Sequence, residues 1–361
     1  MKKLIIINQD QFGYNNATYY YCKYLNDAFA IVYICWDYGR PKIEMDGVQV
    51  IYVSRKGNMA VRTLRFLRTA LGQTNDNQAI VFIKYFKGVS LALWLLRPRQ
   101  RFVLDIRTGA VNKSPMVRRF HNTRLKFETR FFRHVTVISQ SLAEKLGLGR
   151  KAHILPLGAD VISSSNKTFD SLNLLYVGTL FNRNMDVTIH GFKLFYDAFK
   201  DQVPVSYTII GDGWNNQAQD LRELVSKYGL SDVVNVTGLI PHTELVPYFD
   251  ACNIGVSYVP LTDYYDCQPV TKTFEYLLSG MPVLATNTSE NRLVIQPENG
   301  VLVKDTAEDF YVGLTAVLEK RNLFDSAQIR REAMRYTWED IVQKNLRPYI
   351  RKIHSGKIKE S

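Results

Sequence analysis

Residues 264–292 read YYDCQPVTKTFEYLLSGMPVLATNTSENR: a polar loop, an amphipathic helix, a glycine turn, a short apolar strand and a second polar loop. The first loop carries Asp266, Cys267 and Gln268. Pro269 has the fixed φ that suits a helix's first turn. Phe274, Leu277 and Leu278 then recur at helical spacing. Gly280 stands where a helix ends in a left-handed residue. Pro282 to Ala285 is an apolar run of the kind that forms a parallel strand buried on both faces. In open α/β sheets ligands sit outside the carboxyl ends of the strands, so the flanking loops are the places to look for a site. Glu275 lies in the middle of the helix. By pattern alone it is either a solvated carboxylate or a ligand group.

Length and charge narrow the partners. The chain has 361 residues, 46% hydrophobic and 12% aromatic, which is globular composition with core enough for about two domains. The longest apolar candidate for a membrane span, Leu91 to Leu96, is far below the roughly 20 residues required. The opening MKKLIIINQD reads as a first β-strand, since its apolar run stops at Ile7. Cys22, Cys35, Cys252 and Cys267 form no CxxC pair and no metal spacing, so they read as free thiols of a reducing cytosol. The six histidines are scattered and no metal site is expected. Residues 1–160 carry 26 Lys and Arg against 10 Asp and Glu, a net +16, whereas residues 161–361 carry 20 against 24, a net −4. The excess gathers in two helical segments, 55–68 (RKGNMAVRTLRFLR) and 118–133 (RRFHNTRLKFETRFFR). Cations interleaved with Leu, Met and Phe suit an anionic membrane surface or a solvated helix face. Arg62, Arg65 and Arg68 are the residues expected to meet the membrane. No motif of a nucleic-acid-binding module is present.

Strand and helix alternate along the whole chain, which implies parallel sheets with helices on both faces. Strands are expected at Lys3–Ile7, Ile31–Cys35, Val48–Val53, Ala79–Lys84, Phe102–Ile106, Val135–Ile138 and His153–Leu157. Ser139 reads as the cap of a helix reaching Leu146. A Ser-rich, aperiodic stretch, about Gly158 to Asn173, reads as a linker. The alternation then restarts, with strands at Leu174–Val177, Tyr207–Ile210, Val234–Thr237 and Ile254–Tyr258, and a helix over His242–Ala251. A long basic helix is expected over roughly Ser326 to Ile353. The domains expected are 1–158, a linker at 159–173, and 174–338, with a final helix at about 339–361.

The series LLYVGTL, TIIGDG, VNVTGLIP, PVTKTFEYLLSGMPVLAT and NGVLV, spread over about residues 172–321, resembles bacterial glycosyltransferases of the retaining family 4 type. ILPLGAD resembles that family's domain junction, and FVLDIRTG is the best landmark of the first half. The resemblance implies the GT-B fold: two Rossmann-like α/β/α domains facing a cleft, the first for the acceptor and the second for a nucleotide-sugar, with the last helix crossing back to the first.

The same resemblance implies site roles. A diphosphate leaving group gains charge as the glycosidic bond breaks, and Arg183 and Lys272 are the candidate cations that meet it. Glu275 matches the second Glu of the family's Glu-x7-Glu motif, which binds the donor ribose diol; a carboxylate suits two hydroxyls because it accepts two hydrogen bonds. Cys267 stands where the first Glu belongs, so Asp266 or Gln268 is expected to cover the sugar hydroxyls. Further donor positions are Gly178, Thr179, Gly211, Asp212, Gly238, Leu239 and Thr271. Gly13, Tyr14, Asn15, Asp105 and Arg107 are expected at the acceptor side. The implied reaction moves a hexose or N-acetylhexosamine from a nucleotide-sugar, a UDP-sugar by preference, to a glycan or lipid-linked acceptor of bacterial surface polysaccharide, without cofactor or metal, at the inner face of the cell membrane. A nucleotide-sugar epimerase or hydrolase, or a non-catalytic nucleotide-sugar-binding module, is the alternative.

Overall fold

The computed structural model describes residues 2–214 and 216–356. Residues 1, 215 and 357–361 lie outside them, the last of these taking in the end of the helix expected over 339–361. The chain forms two compact units, Met1–Leu157 with Trp338–Ser361, and Gly158–Thr337.

Among the described residues the first unit holds seven strands: β1 (Lys2–Ile7), β2 (Phe29–Asp37), β3 (Val48–Ser54), β4 (Ile80–Lys84), β5 (Arg101–Ile106), β6 (His134–Val137) and β7 (Ala152–Ile154). They lie in the order β3-β2-β1-β4-β5-β6-β7, every pair parallel. Leu4 to Ile7 and Ile80 to Ile83 are buried, as continuous apolar strands of a sheet covered on both faces must be. Helix starts follow local chemistry: the side chains of Asn15, Asn58 and Ser139 accept from the backbone N–H groups of Thr18, Val61 and Leu142.

The second unit holds β8 (Leu172–Val177), β9 (Val205–Ile210), β10 (Val234–Gly238), β11 (Ile254–Ser257), β12 (Val283–Thr286) and β13 (Gly300–Val303). Their order is β10-β9-β8-β11-β12-β13, again all parallel. Strand order reverses between β8 and β11, and the loops leaving those two strands diverge there. Between β11 and β12 runs the helix Thr271–Leu278, whose residues from Lys272 to Leu278 are all buried. It begins later than Pro269 suggests, because Val270 keeps an extended backbone. Gly280 follows its end at φ +72°, with the Ser326 backbone too close for a side chain.

Three expectations are corrected. The helix expected over Ser326–Ile353 is broken into Ser326–Ala333, Met334–Tyr336, Trp338–Ile341, Val342–Leu346 and Arg347–His354. Thr337 is extended, and the Ala159 N–H donates to the Tyr336 carbonyl at 2.9 Å. Val342–Leu346 is wound as a π-turn ahead of Pro348, which has no N–H to donate to the helix ladder. From Trp338 onward the chain packs in the first unit. Trp338 stacks on Tyr20, Tyr349 stacks on His153 at 3.9 Å, and Arg347 donates to the Tyr24 carbonyl.

The helix expected over His242–Ala251 is a 3-10 turn, His242–Glu244, followed by Val246–Ala251. Pro247, in the first turn of that second piece, cannot donate back into a helix running from His242.

The Ser-rich stretch expected as a linker is packed into the second unit. Lys167 is buried and its ammonium donates to Ser165 and to the Phe249 carbonyl, while its backbone N–H donates to Ser326. Ser163 donates to Asp250. A polar composition without periodicity hides such tethering, because each partner lies far away in sequence.

Candidate functional site

The site grows from the carboxyl ends of β8, β9 and β10. Gly178, Gly211 and Gly238 end these strands side by side. The Gly178 N–H donates to the Ile210 carbonyl and the Gly211 N–H to the Gly238 carbonyl, at 2.9 and 2.8 Å. A Cβ on Gly211 would run into the Gly178 carbonyl oxygen, and its φ is +146°. Only glycine lets the backbones close this tightly. Asp212 is expected as a donor ligand, yet its carboxylate accepts from the Gly213 and Ala218 N–H groups and ties the loop to the helix Gln217–Lys227. Thr179 is likewise engaged, its hydroxyl accepting from the Phe181 N–H. Leu239, by contrast, is 83% exposed.

Beside Gly178 lies the Lys272 ammonium. It sits 3.6 Å from the centroid of the Tyr176 ring, fully enclosed, with no hydrogen-bond acceptor among the described residues. Burial, reinforced by the Arg183 charge and opposed by Glu275, holds its pKa well below the usual lysine range. The Arg183 guanidinium lies 4.4 Å from the centre of the Tyr265 ring and within hydrogen-bond reach of the Tyr176 hydroxyl. Two cations thus meet on a shelf of tyrosine at the point where the strand order reverses. A pocket that crowds positive charge in this way is prepared for an anion. The helix Thr271–Leu278 has no side-chain cap, so its first N–H groups add to the same field.

Glu275 is 9% exposed, which removes the solvated-face reading. Its Oε1 lies 3.7 Å from His242 Nε2. The interaction with Glu275, against partial burial, raises the His242 pKa above its ordinary value. His242, Tyr176 and Tyr265 escaped the sequence reading. The contacts that recruit them join residues far apart in the chain, and no spacing announces them.

The loop before the helix turns inward. Cys267 is buried, with Sγ 3.9 Å from the Asp263 carbonyl. Asp266 accepts from the Ser289 N–H and hydroxyl at 2.8 and 2.6 Å. The Gln268 amide donates to the Tyr264 carbonyl. These three side chains brace the loop. All four cysteines are buried and none is disulfide-bonded.

In the first unit the expected acceptor residues fall into two sets. Gly13 has φ +85°, Tyr14 is partly exposed and hydrogen-bonded to the Pro41 carbonyl, and Asn15 is spent as a helix cap that also donates to Asp10. Asp105 and Arg107 are interior groups and do not project from the strand end as expected. Asp105 is fully buried, accepts from Thr136 at 2.7 Å and lies 4.0 Å from Arg107, which donates to the Leu155 carbonyl. Burial pushes the Asp105 pKa up. The expected membrane arginines also divide. Arg65 donates to the carbonyls of Ser54 and Lys56, Arg62 lines a depression with Trp36 and Phe86, and Arg68 is exposed. Arg65 is therefore a structural tie. Among the described residues no helix is long and apolar enough to cross a membrane, and no cluster of His, Cys, Asp or Glu is placed to hold a metal ion.

Comparisons with known proteins bear on the fold. The chain is similar in structure to sucrose-phosphate synthase of Thermosynechococcus elongatus, with TM-score 0.76 and 16% identity over 99% of this chain and 100% of that one. It is similar to HepE of Anabaena in complex with UDP, with TM-score 0.72 and 13% identity over 97% and 100%. A glycosyltransferase of Rickettsia africae gives TM-score 0.71 and 14% identity over the whole of both chains. At these identities the likeness establishes the fold. No curated protein matches the sequence. Residues 171–320 match the family of glycosyl transferases group 1, so that the chain carries a glycosyl transferases group 1 domain there and has the fold of GT-B glycosyltransferases.

Proposed function

We propose that the protein is a retaining hexosyltransferase of family 4 type that uses a UDP-sugar donor. The observation that carries this reading is the buried Lys272 ammonium beside Gly178, which has no hydrogen-bond acceptor among the described residues and whose pKa the nearby Arg183 charge lowers further. Lys272, Arg183 and the N–H groups at Thr271 take the donor diphosphate. Glu275 accepts from the ribose hydroxyls, and the exposed Leu239, next to the buried Gly238, meets the base. Support for uridine comes from the Anabaena neighbour, whose structures include complexes with UDP and with UDP-glucose.

In the reaction the bond from the anomeric carbon to the diphosphate oxygen breaks. The acceptor hydroxyl oxygen bonds to the same face of that carbon, and its proton passes to the departing phosphate oxygen. The inward-turned Cys267 leaves no carboxylate at that position for a covalent intermediate. Charge grows on the leaving group, so Lys272 and Arg183 act most strongly in the transition state. The acceptor we infer is a lipid-linked glycan of bacterial surface polysaccharide, reached from the inner face of the membrane. The strongly basic first 160 residues support that placement. Thermal unfolding with UDP, GDP and CMP tests the donor: UDP raises the midpoint, and the other two do not. A folded protein that none of the three stabilises overturns the reading.

A further inference from the structure

The first unit's sheet has a cavity of about 410 Å³ at the carboxyl ends of its strands, a size that suits a small ligand. Gln9 follows β1, Trp36 and Tyr38 stand at the end of β2, Arg55 follows β3 and Phe86 follows β4, and all five line it. Strand order reverses here between β1 and β4, the position at which open parallel sheets take their ligands.

Three cations line the cavity, Arg55, Arg62 and Lys87, and no Asp or Glu is among its lining residues. The neighbouring carboxylates are committed to other cations. Asp10, beside Gln9, meets Lys84 at 2.6 Å; Asp37, between Trp36 and Tyr38, meets Lys42 at 3.9 Å; and Glu128, which accepts from the Gly88 N–H, meets Arg124 at 2.8 Å. Lys87 is partnered by an imidazole instead, 3.1 Å from His121 Nδ1. The loop that presents Arg55 is anchored on both sides, because Arg65 donates to the carbonyls of Ser54 and Lys56. The Arg55 guanidinium lies 4.1 Å from the centre of the Tyr38 ring. Trp36 and Phe86 form a fixed wall backed by the fully buried Phe66, whose ring centre lies 4.6 and 5.3 Å from theirs.

We propose that this cavity is the acceptor subsite for an acidic saccharide, a sugar carrying a phosphate or a carboxylate. The proposal rests on the glycosyltransferase reading above and names the chemistry of its acceptor. Guanidinium groups grip either oxyanion through paired N–H donors, and Lys87 adds a point charge. The sugar's apolar face packs on the aromatic wall, as in other small-ligand sites that combine apolar walls with a few placed polar groups. A neutral sugar gains the wall alone, so the cations select for the acid. Arg62 then serves the acceptor, whereas Arg65 holds the loop.

The test uses the whole protein labelled with fluorotryptophan, which gives one fluorine signal for each of Trp36, Trp94, Trp214 and Trp338. Trp36→Phe assigns the signal of the cavity. The probes are glucose 6-phosphate, glucuronic acid, glucose and inorganic phosphate. The two acidic sugars move the Trp36 signal, and glucose binds at least about tenfold more weakly, as the loss of a charge-assisted hydrogen bond requires. Arg55→Gln/Arg62→Gln loses about tenfold or more of its affinity for both acids and keeps that for UDP. Should the double variant not fold, Lys87→Gln, altered at an exposed side chain, must show the same selective loss. Glucose binding as tightly as the acids, or acid binding indifferent to these variants, overturns the proposal. Inorganic phosphate that matches glucose 6-phosphate makes the cavity an anion site without sugar recognition and overturns it equally. A shift confined to Trp214 places the sugars outside this cavity and overturns it as well. UDP separates the two readings: intact UDP binding without acidic-sugar binding overturns this subsite alone, whereas acidic sugars that bind at Trp36 in a protein indifferent to UDP overturn the donor reading and leave the acidic-saccharide site.

Discussion

Replacing Lys272 by methionine should stabilise the empty protein and cripple the liganded one. Methionine follows the lysine stem and deletes only the ammonium. That ammonium is enclosed and has no hydrogen-bond acceptor among the described residues. A buried charge without a good partner costs several kcal/mol in proteins, and the Tyr176 ring beneath it offsets about 0.5–2 kcal/mol of this. The net gain on substitution is then about 1 kcal/mol, or roughly 2–4 °C in a unit of this size.

The pH dependence carries a sign. Lys272 has a depressed pKa in the folded state, so between that value and the ordinary lysine value of about 10.4 the unfolded chain binds the extra proton. Parent stability therefore rises with pH across this window, and Lys272→Met removes the rise. Donor binding moves the other way. UDP at about a hundred times its dissociation constant stabilises the parent by about 2.7 kcal/mol, or roughly 5–10 °C. Losing one charge-assisted bond costs about 1.5–3 kcal/mol, so the same UDP concentration shifts the variant by only about 1–5 °C. Differential scanning fluorimetry at several pH values, with and without UDP, measures both effects. An empty variant no more stable than the parent, together with an undiminished UDP shift, would refute the assignment of Lys272 as an anion-binding cation.

Other substitutions probe the remaining parts. Glu275→Gln should weaken UDP binding about ten- to a hundredfold by calorimetry while the circular dichroism stays native, since a charged acceptor worth about 1.5–3 kcal/mol becomes neutral; unchanged affinity removes Glu275 from the donor. Arg183→Ala should lower kcat more than it lowers uridine affinity, because leaving-group charge peaks in the transition state; a loss confined to uridine affinity contradicts that role. Gly211→Ala should cost about 2–5 kcal/mol in chemical denaturation, from the clash with the Gly178 carbonyl and the positive φ, and a neutral result contradicts the packing described. His242 has a raised pKa in the folded state, so its contact with Glu275 adds stability that is full below the ordinary histidine value and is lost as pH rises through the folded one. His242→Ala should flatten that part of the stability–pH curve, and an unaltered curve rules the contact out as its source.

The alternation of apolar runs with amphipathic ones was enough to establish parallel sheets, because burying a strand on both faces demands it. Ser139 as a cap and Gly280 as a helix end were legible for the same reason: their hydrogen bonds and dihedral angles are settled within a few residues. The motif series over the second half carried the family, and with it attention to Arg183, Lys272 and Glu275. Only the tertiary structure decided what those residues meet. Arg183 and Lys272 lie far apart in sequence and come together, over the rings of Tyr265 and Tyr176, because β8 and β11 are neighbours in the sheet. By pattern alone Glu275 was either a solvated carboxylate or a ligand group, and the burial of every residue from Lys272 to Leu278 removed the first reading. The same cause moved other residues the opposite way. Asp105 ends a strand, yet β6 and Arg107 enclose it; Asp266 precedes a helix, yet Ser289 claims it; and the Ser-rich stretch is tied down by Lys167 and Asp250. A charge in a sequence has no environment until a distant segment folds over it, and whether it then serves the site or the scaffold depends on which acceptor arrives first.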